Sequence, residues 1–404
     1  MSDTPTQVAS CAPTSLGEHV LLQGGFGFPE ILQGNRHGEI PFYKVSDMSA
    51  AENSTKLQFA RNYVSRSISI KRGWRPVPPG ATVFAKVGAA LLLNRRRIVT
   101  QESLIDNNMM AAIPRDSVDS RWLYWWLQTV DFGLFVQPGA LPSVNQRQLA
   151  VLKLPLFSLP EQRRIAEILD TLDDQIRITG QVIAKLKSVQ MGLLSDLLAY
   201  GLSDLGVSRD PRRDPGQFTR TAAGLRPRTW RVGPLIRFCH LQRGFDITVS
   251  EQKPGPYPVV SSSGIRSYHD RYMVDAPGVV TGRKGLLGDV YFVDGPFWPH
   301  DTSLWVTDFC GNDPKFIALL LKHLKLERFD AATSVPTLNR NAVHPIIVAI
   351  PEPQEQSAIV NVVDVHNERL ACEGEKLRKL VALKVGLMTD LLTGRVRVPV
   401  EAAS

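Results

Sequence analysis

The sequence predicts an α/β (α+β) fold built twice over. Two mixed α/β blocks are separated by two long helices packed as an antiparallel coiled coil, with the halves related by a pseudo-twofold internal repeat. Three observations predict it. "SLPEQRRIAEILDTLDDQI" at 158–176 recurs as "EPQEQSAIVNVVDVHNERL" at 352–370. Both stretches carry apolar residues at the alternating four-three spacing of a coiled-coil seam. Before each helix, Pro-Gly turns lead into β-branched and aromatic runs, the pattern of strands joined by turns.

The repeat runs without a gap from Pro142 to Leu198, onto Pro336 to Leu392. Asn145 meets Asn339, Glu161-Gln162 meets Glu355-Gln356, Asp170 meets Asp364, and Asp196-Leu197-Leu198 meets Asp390-Leu391-Leu392. On the first helix the seam is Ile165, Leu169, Leu172, Ile176, Ile183, Leu186, Leu193 and Leu197, with Thr179 and Gln190 as polar interruptions. The second keeps Ile359, Val363, Leu370, Leu377, Leu380, Leu387 and Leu391, and sets His366, Glu373 and Lys384 on the same line. Ser158 with Glu161 can form a capping box, Pro160 suits a first turn, and Gly201 and Gly394 suit the stops. Helices of about 38–40 residues would run about 57–60 Å at 1.5 Å per residue. A helix that long with an apolar seam needs a partner, and its own copy is the simplest one. Two helices serving two separate cores is the other reading.

The blocks run parallel more loosely. "GEIPFYKVSDM" (38–48), "PPGATVFAKVGAALLLNRRRIVT" (78–100) and "IDNNMMAAIP" (105–114) form the first. The second has "GPYPVVSSSGI" (255–265), "DAPGVVTGRKGLLGDVYFVDGPFWP" (275–299) and "HDTSLWVTD" (300–308). Each block then has a short helix, "SRWLYWWLQTVDF" (120–132) and "DPKFIALLLKHLKLERF" (313–329), and a Pro-Ser-Val-Asn or Pro-Thr-Leu-Asn turn. Trp122, Trp125 and Trp126 read as core anchors rather than base-stacking platforms. "GLSDLGVSRDPRRDPGQFTRTAAGLRPR", rich in Arg, Gly, Pro and Asp and without a hydrophobic period, reads as the linker between halves.

Composition bounds the rest. The 404 residues are 43% hydrophobic and 21% charged, enough apolar content for two or three cores. A net charge of +8, from 47 Lys+Arg against 39 Asp+Glu, is compatible with a polyanionic partner without requiring one. Cys11, Cys239, Cys310 and Cys372 are scattered, with neither zinc-site nor disulfide spacing, as suits a reducing cytosol. "MSDTPTQVASCAPTSLG" lacks the pattern of a signal peptide, and no run of residues reads as a membrane span.

Duplicated helices that open on a Glu-Gln pair (Glu161-Gln162 and Glu355-Gln356), each after a variable α/β block, resemble the specificity subunit of type I restriction–modification systems. The motifs are "ALPSVNQRQL…LPLFSLPEQRRIAEILDTLDDQI" in the first half, and "VPTLNRNAV…IPEPQEQSAIV" with "LLTGRVRV" in the second. The second helix departs from the pattern, with Pro353-Gln354 where the first has Leu159-Pro160. The likeness covers about Gly17 to Val398. It divides the chain into a first target recognition domain (1–155), a first conserved helix (156–201), a linker (202–228), a second recognition domain (229–350), a second conserved helix (351–394) and a tail (395–404). It implies a noncatalytic, cytoplasmic, nucleoid-associated prokaryotic subunit that binds a bipartite double-stranded DNA target. The helices would recruit two methyltransferase subunits, which restriction and motor subunits would join. The resemblance places S-adenosylmethionine, ATP and Mg²⁺ on those partners, with no cofactor or metal on this chain.

The motifs of catalysis are not found. The chain has no Asn/Asp-Pro-Pro-Tyr/Phe loop for a flipped adenine and no G-x-x-x-x-G-K-[ST] phosphate loop. Its eight histidines show no ligand spacing. Glu373-x-Glu375-Lys376 with Asp364 is a nuclease-like match, but it lies along one helix. A stand-alone methyltransferase or nuclease, and a non-specific DNA-binding scaffold, are the rival readings. Base edges are read by Arg, Lys and Asn in particular. The candidates are Lys44, Ser46, Asp47, Lys86, Arg95, Arg96, Arg97, Asn107 and Asn108 in the first block. In the second they are Ser262, Ser263, Arg266, Tyr268, Arg283, Lys284 and His300.

Overall fold

The structure, a computed structural model, describes residues 13–136, 141–203, 206–330 and 336–399. Cys11 and the N-terminal stretch around it, and the end of the expected tail, lie outside the described residues. The chain divides into two compact units, one of residues 1–180 with 376–404, the other of residues 181–375.

The long helices span Leu159–Tyr200 and Pro353–Leu392, 42 and 40 residues. Each gives one half to each unit. In the first unit, Ile165, Ala166 and Leu169 near the start of the first helix share a core with Leu391 and Leu392 at the end of the second. In the second unit, Leu197 and Leu198 pack with Ile359, Val360 and Val363. Start meets end in both units, so the pairing is antiparallel and the cores are shared rather than separate.

The seam follows the predicted line. Ile165, Leu169, Leu172, Thr179, Leu186, Leu197, Ile359, Val363 and Leu391 are buried, and Ile176, Ile183, Leu193, Leu370, Leu377, Leu380 and Leu387 are half-buried. Apolar residues off the line, such as Met191, Val365 and Val385, are exposed. Polar interruptions find partners. His366 Nε2 reaches the Leu186 carbonyl at 3.0 Å, Gln190 donates to Asn367, and Lys384 Nζ donates to Asp173 Oδ1 at 2.5 Å. At the first start, the Ser158 N–H and hydroxyl both donate to Glu161 Oε2, at 3.4 and 3.1 Å. Both stops are left-handed glycines, Gly201 at φ +71° and Gly394 at φ +77°.

The blocks repeat most of their strands in the same order, the first adding one edge strand. In the first, Val20–Gly24, Met109–Pro114, Thr82–Ala85, Arg96–Val99 and Lys56–Leu57 form one sheet in that order. In the second, His240–Arg243, Ser303–Asp308, Gly278–Gly282 and Val290–Val293 follow the same order. A smaller sheet repeats too, with Ile40–Tyr43 between Asn62–Val64 and Leu104–Ile105, and Tyr257–Ser261 between Gly264–His269 and Trp298–Pro299. Helices Ser120–Gln128 and Pro314–His323 begin at matching caps, Asp119 and Asp313. Trp122, Trp125 and Trp126 are buried as core residues. Within 202–228, which read as linker, Phe218–Thr221 pairs with Gly224–Pro227 as a hairpin. Strands of four residues are too short to show a period. Among the described residues, no helix is long and apolar enough to cross a membrane.

A carboxylate on the seam tests the pairing. Leu172→Asp and Leu186→Asp each bury an unpaired charge and should cost about 3 kcal/mol or more. A clear drop in thermal midpoint is expected for each; a midpoint within about 2 °C of wild type would place these positions in water.

Candidate nucleic-acid interface

One backbone arrangement occurs in both blocks and gathers most of the candidate residues. In the first, the Lys86 N–H donates to the Asn108 carbonyl at 2.8 Å, and the Lys86 carbonyl accepts from Val144 N–H at 2.9 Å. Gly88 N–H then donates to the Pro142 carbonyl at 2.7 Å. In the second, Arg283 N–H donates to the Thr302 carbonyl at 2.8 Å, Leu338 N–H to the Arg283 carbonyl at 2.8 Å, and Gly285 N–H to the Pro336 carbonyl at 3.0 Å. Lys86 and Arg283 are therefore the same position, held between a loop (105–108 or 299–302) and the Pro-Ser-Val-Asn or Pro-Thr-Leu-Asn turn.

The smaller sheet brings the next candidates to that loop. Asp106 N–H donates to the Tyr43 carbonyl at 2.9 Å, and His300 N–H to the Val260 carbonyl at 2.8 Å. This brings Lys44, next to Tyr43, to the 105–108 loop, and the Ser262 N–H to Thr302 Oγ1 of the 299–302 loop at 3.4 Å. A glycine passes against each loop. A Cβ on Gly25 would lie 2.1 Å from the Asp106 carbonyl oxygen, and one on Gly244 would lie 2.2 Å from that of His300.

The second block carries a cleft of about 560 Å³ lined by Gln242, Arg243, Arg283, Asn339 and Arg340 among others. Arg243 Nη2 is held by Asp246 Oδ1 at 2.9 Å and Asp301 Oδ2 at 3.1 Å, and Arg283 Nη1 donates to the Asp301 carbonyl at 3.1 Å. Three guanidiniums at one cleft make a positive, donor-rich surface. Arg243, Arg340, Gln242 and Asn339 were not among the sequence candidates. Arg340 and Asn339 follow the repeated Pro-Thr-Leu turn, and that position was the available signal.

Several candidates are placed elsewhere. Arg96 is fully buried, donates to the Asn94 and Val130 carbonyls, and lies 4.1 Å over the Phe132 ring. Burial pulls its guanidinium down to about 10, so Arg96 is a core residue, not a reader. Arg97 donates to the Asn53, Arg96 and Met48 carbonyls, the last at 3.0 Å, and is spent on structure. Asp47 is fully buried, accepts the Lys44 N–H at 2.8 Å and is pushed up by burial, which withdraws it as well. Arg95 is half-exposed and donates to Ser49. Ser262 is buried, and the His300 ring sits among Thr302 Oγ1, the Ile247 carbonyl and Asp301. Arg266 and Tyr268 are exposed on strand Gly264–His269, while Lys284, Asn107 and Asn108 are exposed at the loops. The nuclease-like match does not gather its acids, since Asp364 is bound to Lys315 Nζ at 2.9 Å.

The Glu-Gln pair that opens each long helix joins block to helix. Gln162 is fully buried; its Oε1 accepts the Asp119 N–H at 2.7 Å, and its Nε2 donates to the Ser117 and Phe157 carbonyls at 3.0 and 2.8 Å. Gln356 repeats this with the Asp313 N–H, Asn312 Oδ1 and the Pro351 carbonyl, each at 2.8 Å. Glu161 accepts both arms of Arg397 at 2.8 Å, and Glu355 accepts Arg209 Nη1 at 2.6 Å. Arg121 bonds Asp170 at 3.1 Å where Lys315 bonds Asp364.

The model of the type I restriction modification DNA specificity domain matches residues 29–188 and 227–381. A protein of Methanocaldococcus jannaschii named as the type I restriction enzyme MjaX specificity subunit is 22% identical over 280 residues, 63% of this chain. The chain spans 62% of that relative's length. The S subunit structure of a type I restriction–modification system from M. genitalium matches 94% of this chain and 96% of its own, with a TM-score of 0.58. The HsdS subunit structure from Thermoanaerobacter tengcongensis matches 98% and 100%, with a TM-score of 0.52. Both are 14% identical to this chain and speak for the fold.

Gln356→Leu would strand the buried Asp313 N–H and Pro351 carbonyl, each at a cost of about 1–3 kcal/mol. Denaturant unfolding should show that loss, while Gln354→Ala, at an exposed position two residues earlier, should stay within about 0.5 kcal/mol. Equal stability of the two variants would remove the glutamine from this role.

Proposed function

The chain belongs to the type I restriction modification DNA specificity domain family, and we propose that each of its units reads one half of a bipartite double-stranded DNA target. The observation that carries this reading is the repeated backbone frame with unlike side chains. Lys86, Asn107 and Asn108 stand in one frame where Arg283, Asp301 and Thr302 stand in the other. One frame gives one approach to DNA, and different side chains give different base preferences. In this reading residues 1–155 and 229–350 are the recognition domains, 156–201 and 351–394 the conserved helices, 202–228 the connection and 395–404 the tail.

The partners follow from the helices. Ile178, Val381, Leu383 and Val385 are exposed on them in the first unit, and Val189, Met191 and Val365 in the second. We assign these apolar residues to docking of one methyltransferase subunit per unit, with restriction and motor subunits joining in turn. S-adenosylmethionine, ATP and Mg²⁺ then act on the partners, and this chain directs adenine methylation and cleavage without performing either. Such a complex works on chromosomal and incoming DNA in the prokaryotic cytoplasm.

The test is a domain exchange. Replacing residues of about 17–141 with another recognition domain should change one half of the methylated motif, read by methylation-sensitive sequencing of the host. A change in both halves would refute independent reading.

A companion measurement concerns catalysis. The purified chain with S-adenosylmethionine should leave DNA unmethylated until its methyltransferase is added. Robust methylation by the chain alone would end the noncatalytic reading.

A further inference from the structure

In the second unit three side chains converge at a corner that the DNA-facing cleft does not use. His240 opens strand His240–Arg243, Asp308 ends the neighbouring strand Ser303–Asp308 opposite it, and Cys310 follows in the next turn. The ring nitrogen, carboxylate oxygen and Sγ that they offer all lie within 4.8 Å of one another. The backbone is shaped for this. The register shifts between His240 and Leu241, and Cys310 takes φ +50°, a conformation uncommon outside glycine. Its N–H donates to Asp308 Oδ1 at 2.7 Å, which fixes the carboxylate beside the thiol.

The internal repeat supplies a control. Leu241 pairs with Val306 as Leu22 pairs with Ala112, so Asp308 and Cys310 correspond to Pro114 and Asp116, and where Asp308 pairs with His240, Pro114 pairs with Val20. The matching corner has no thiol, and its nearby imidazole, His19, is engaged with Ser117 Oγ at 2.8 Å. The ligand set is an addition to the second block, not part of the shared frame.

We propose that His240, Asp308 and Cys310 bind one zinc ion, with water completing its coordination. The donor set selects the metal: imidazole and thiolate favour a borderline-soft cation over Mg²⁺ or Ca²⁺, which take oxygen ligands. Zinc bonds of about 2.0–2.3 Å in tetrahedral geometry put ligand atoms about 3.3–3.8 Å apart. Rotation of the exposed His240 side chain, with the Asp308 carboxylate held by the Cys310 N–H, would close a gap of at most about 1 Å. Cys310 is half-buried.

The ion's place in the fold gives it a structural role. Two residues beyond Cys310, Asn312 is buried, with Nδ2 donating to the Phe238 carbonyl at 2.9 Å and Oδ1 accepting from Gln356 Nε2 at 2.8 Å. The turn that carries the thiolate thus runs into the network fastening the block to the second long helix. Zinc bound there restrains that turn, and the first unit manages the same junction without it.

The test titrates the full-length, metal-free chain with Co²⁺ and Zn²⁺. One equivalent of Co²⁺ should bind with a thiolate-to-metal absorption band in the near ultraviolet, and Zn²⁺ should displace it. Cys310→Ser should abolish the band, and His240→Ala should weaken binding at least about tenfold. Asp308→Asn keeps an oxygen for the Cys310 N–H while removing the charge, so it weakens the metal without loosening the turn; circular dichroism checks that each variant is folded. Cys372→Ser, at an exposed position on the second long helix, should change nothing. No band, a band that survives Cys310→Ser, or affinity unchanged in both His240→Ala and Asp308→Asn would overturn the assignment.

Discussion

Everything in each unit hangs on one buried primary amide. Gln162 in the first and Gln356 in the second are inaccessible to water, and each must place one acceptor and two donors inside protein. A buried amide without partners costs several kcal/mol, so its position admits little freedom. Its acceptor takes the N–H of the capping aspartate of the block's short helix, and one donor goes to the chain just before the long helix. Block, short helix and long helix meet at these bonds. The carboxylate one residue earlier is held by an arginine that follows the other long helix, Arg397 or Arg209. The Glu-Gln pair that looked like a sequence motif is thus a joint, written twice because two blocks must be fastened.

What the sequence revealed depends on how locally each feature is encoded. The seam was legible because a 3.5-residue period is visible within one continuous segment, and none of Ile165, Leu169, Leu172, Ile359 or Val363 is exposed. The blocks were legible as strands and turns but not as two sheets of the same strand order. Their loops differ in length, so no single shift aligns Gly25 with Gly244 while also aligning Asn145 with Asn339. The joint extends the repeat back to Asp119 and Asp313, where only hydrogen bonding, and not general likeness, marks the match.

The candidate site was harder, because exposure is not written in residue type. In "NRRRIV" the arginines looked alike. Strand pairing of Arg96 with Phe84 turns its side chain into the core, where carbonyls and the Phe132 ring receive it. Arg243 and Arg340 went unnoticed because each is isolated in sequence and reaches the cleft through tertiary structure. His240, Asp308 and Cys310 share that origin: strand pairing brings the histidine to the other two across more than sixty residues. Ligand-spacing patterns detect sites made by one turn or helix and pass over sites made by a sheet.

The two glycines explain how one frame can carry two different sets of side chains. At Gly25 and Gly244 the chain passes so close to the loop carbonyls that any Cβ would overlap backbone. Backbone cannot yield as the end of a side chain can, so the loop's path is set by main-chain contact. Around it the Lys86 or Arg283 clamp is likewise made of N–H and carbonyl groups. A frame held by backbone does not depend on which side chains it carries. Lysine can stand for arginine, and asparagine for aspartate or threonine, without disturbing the strands beneath. Arg96 and Asp47 mark the limit of that freedom, since their side chains hold the frame itself and cannot be exchanged for reading.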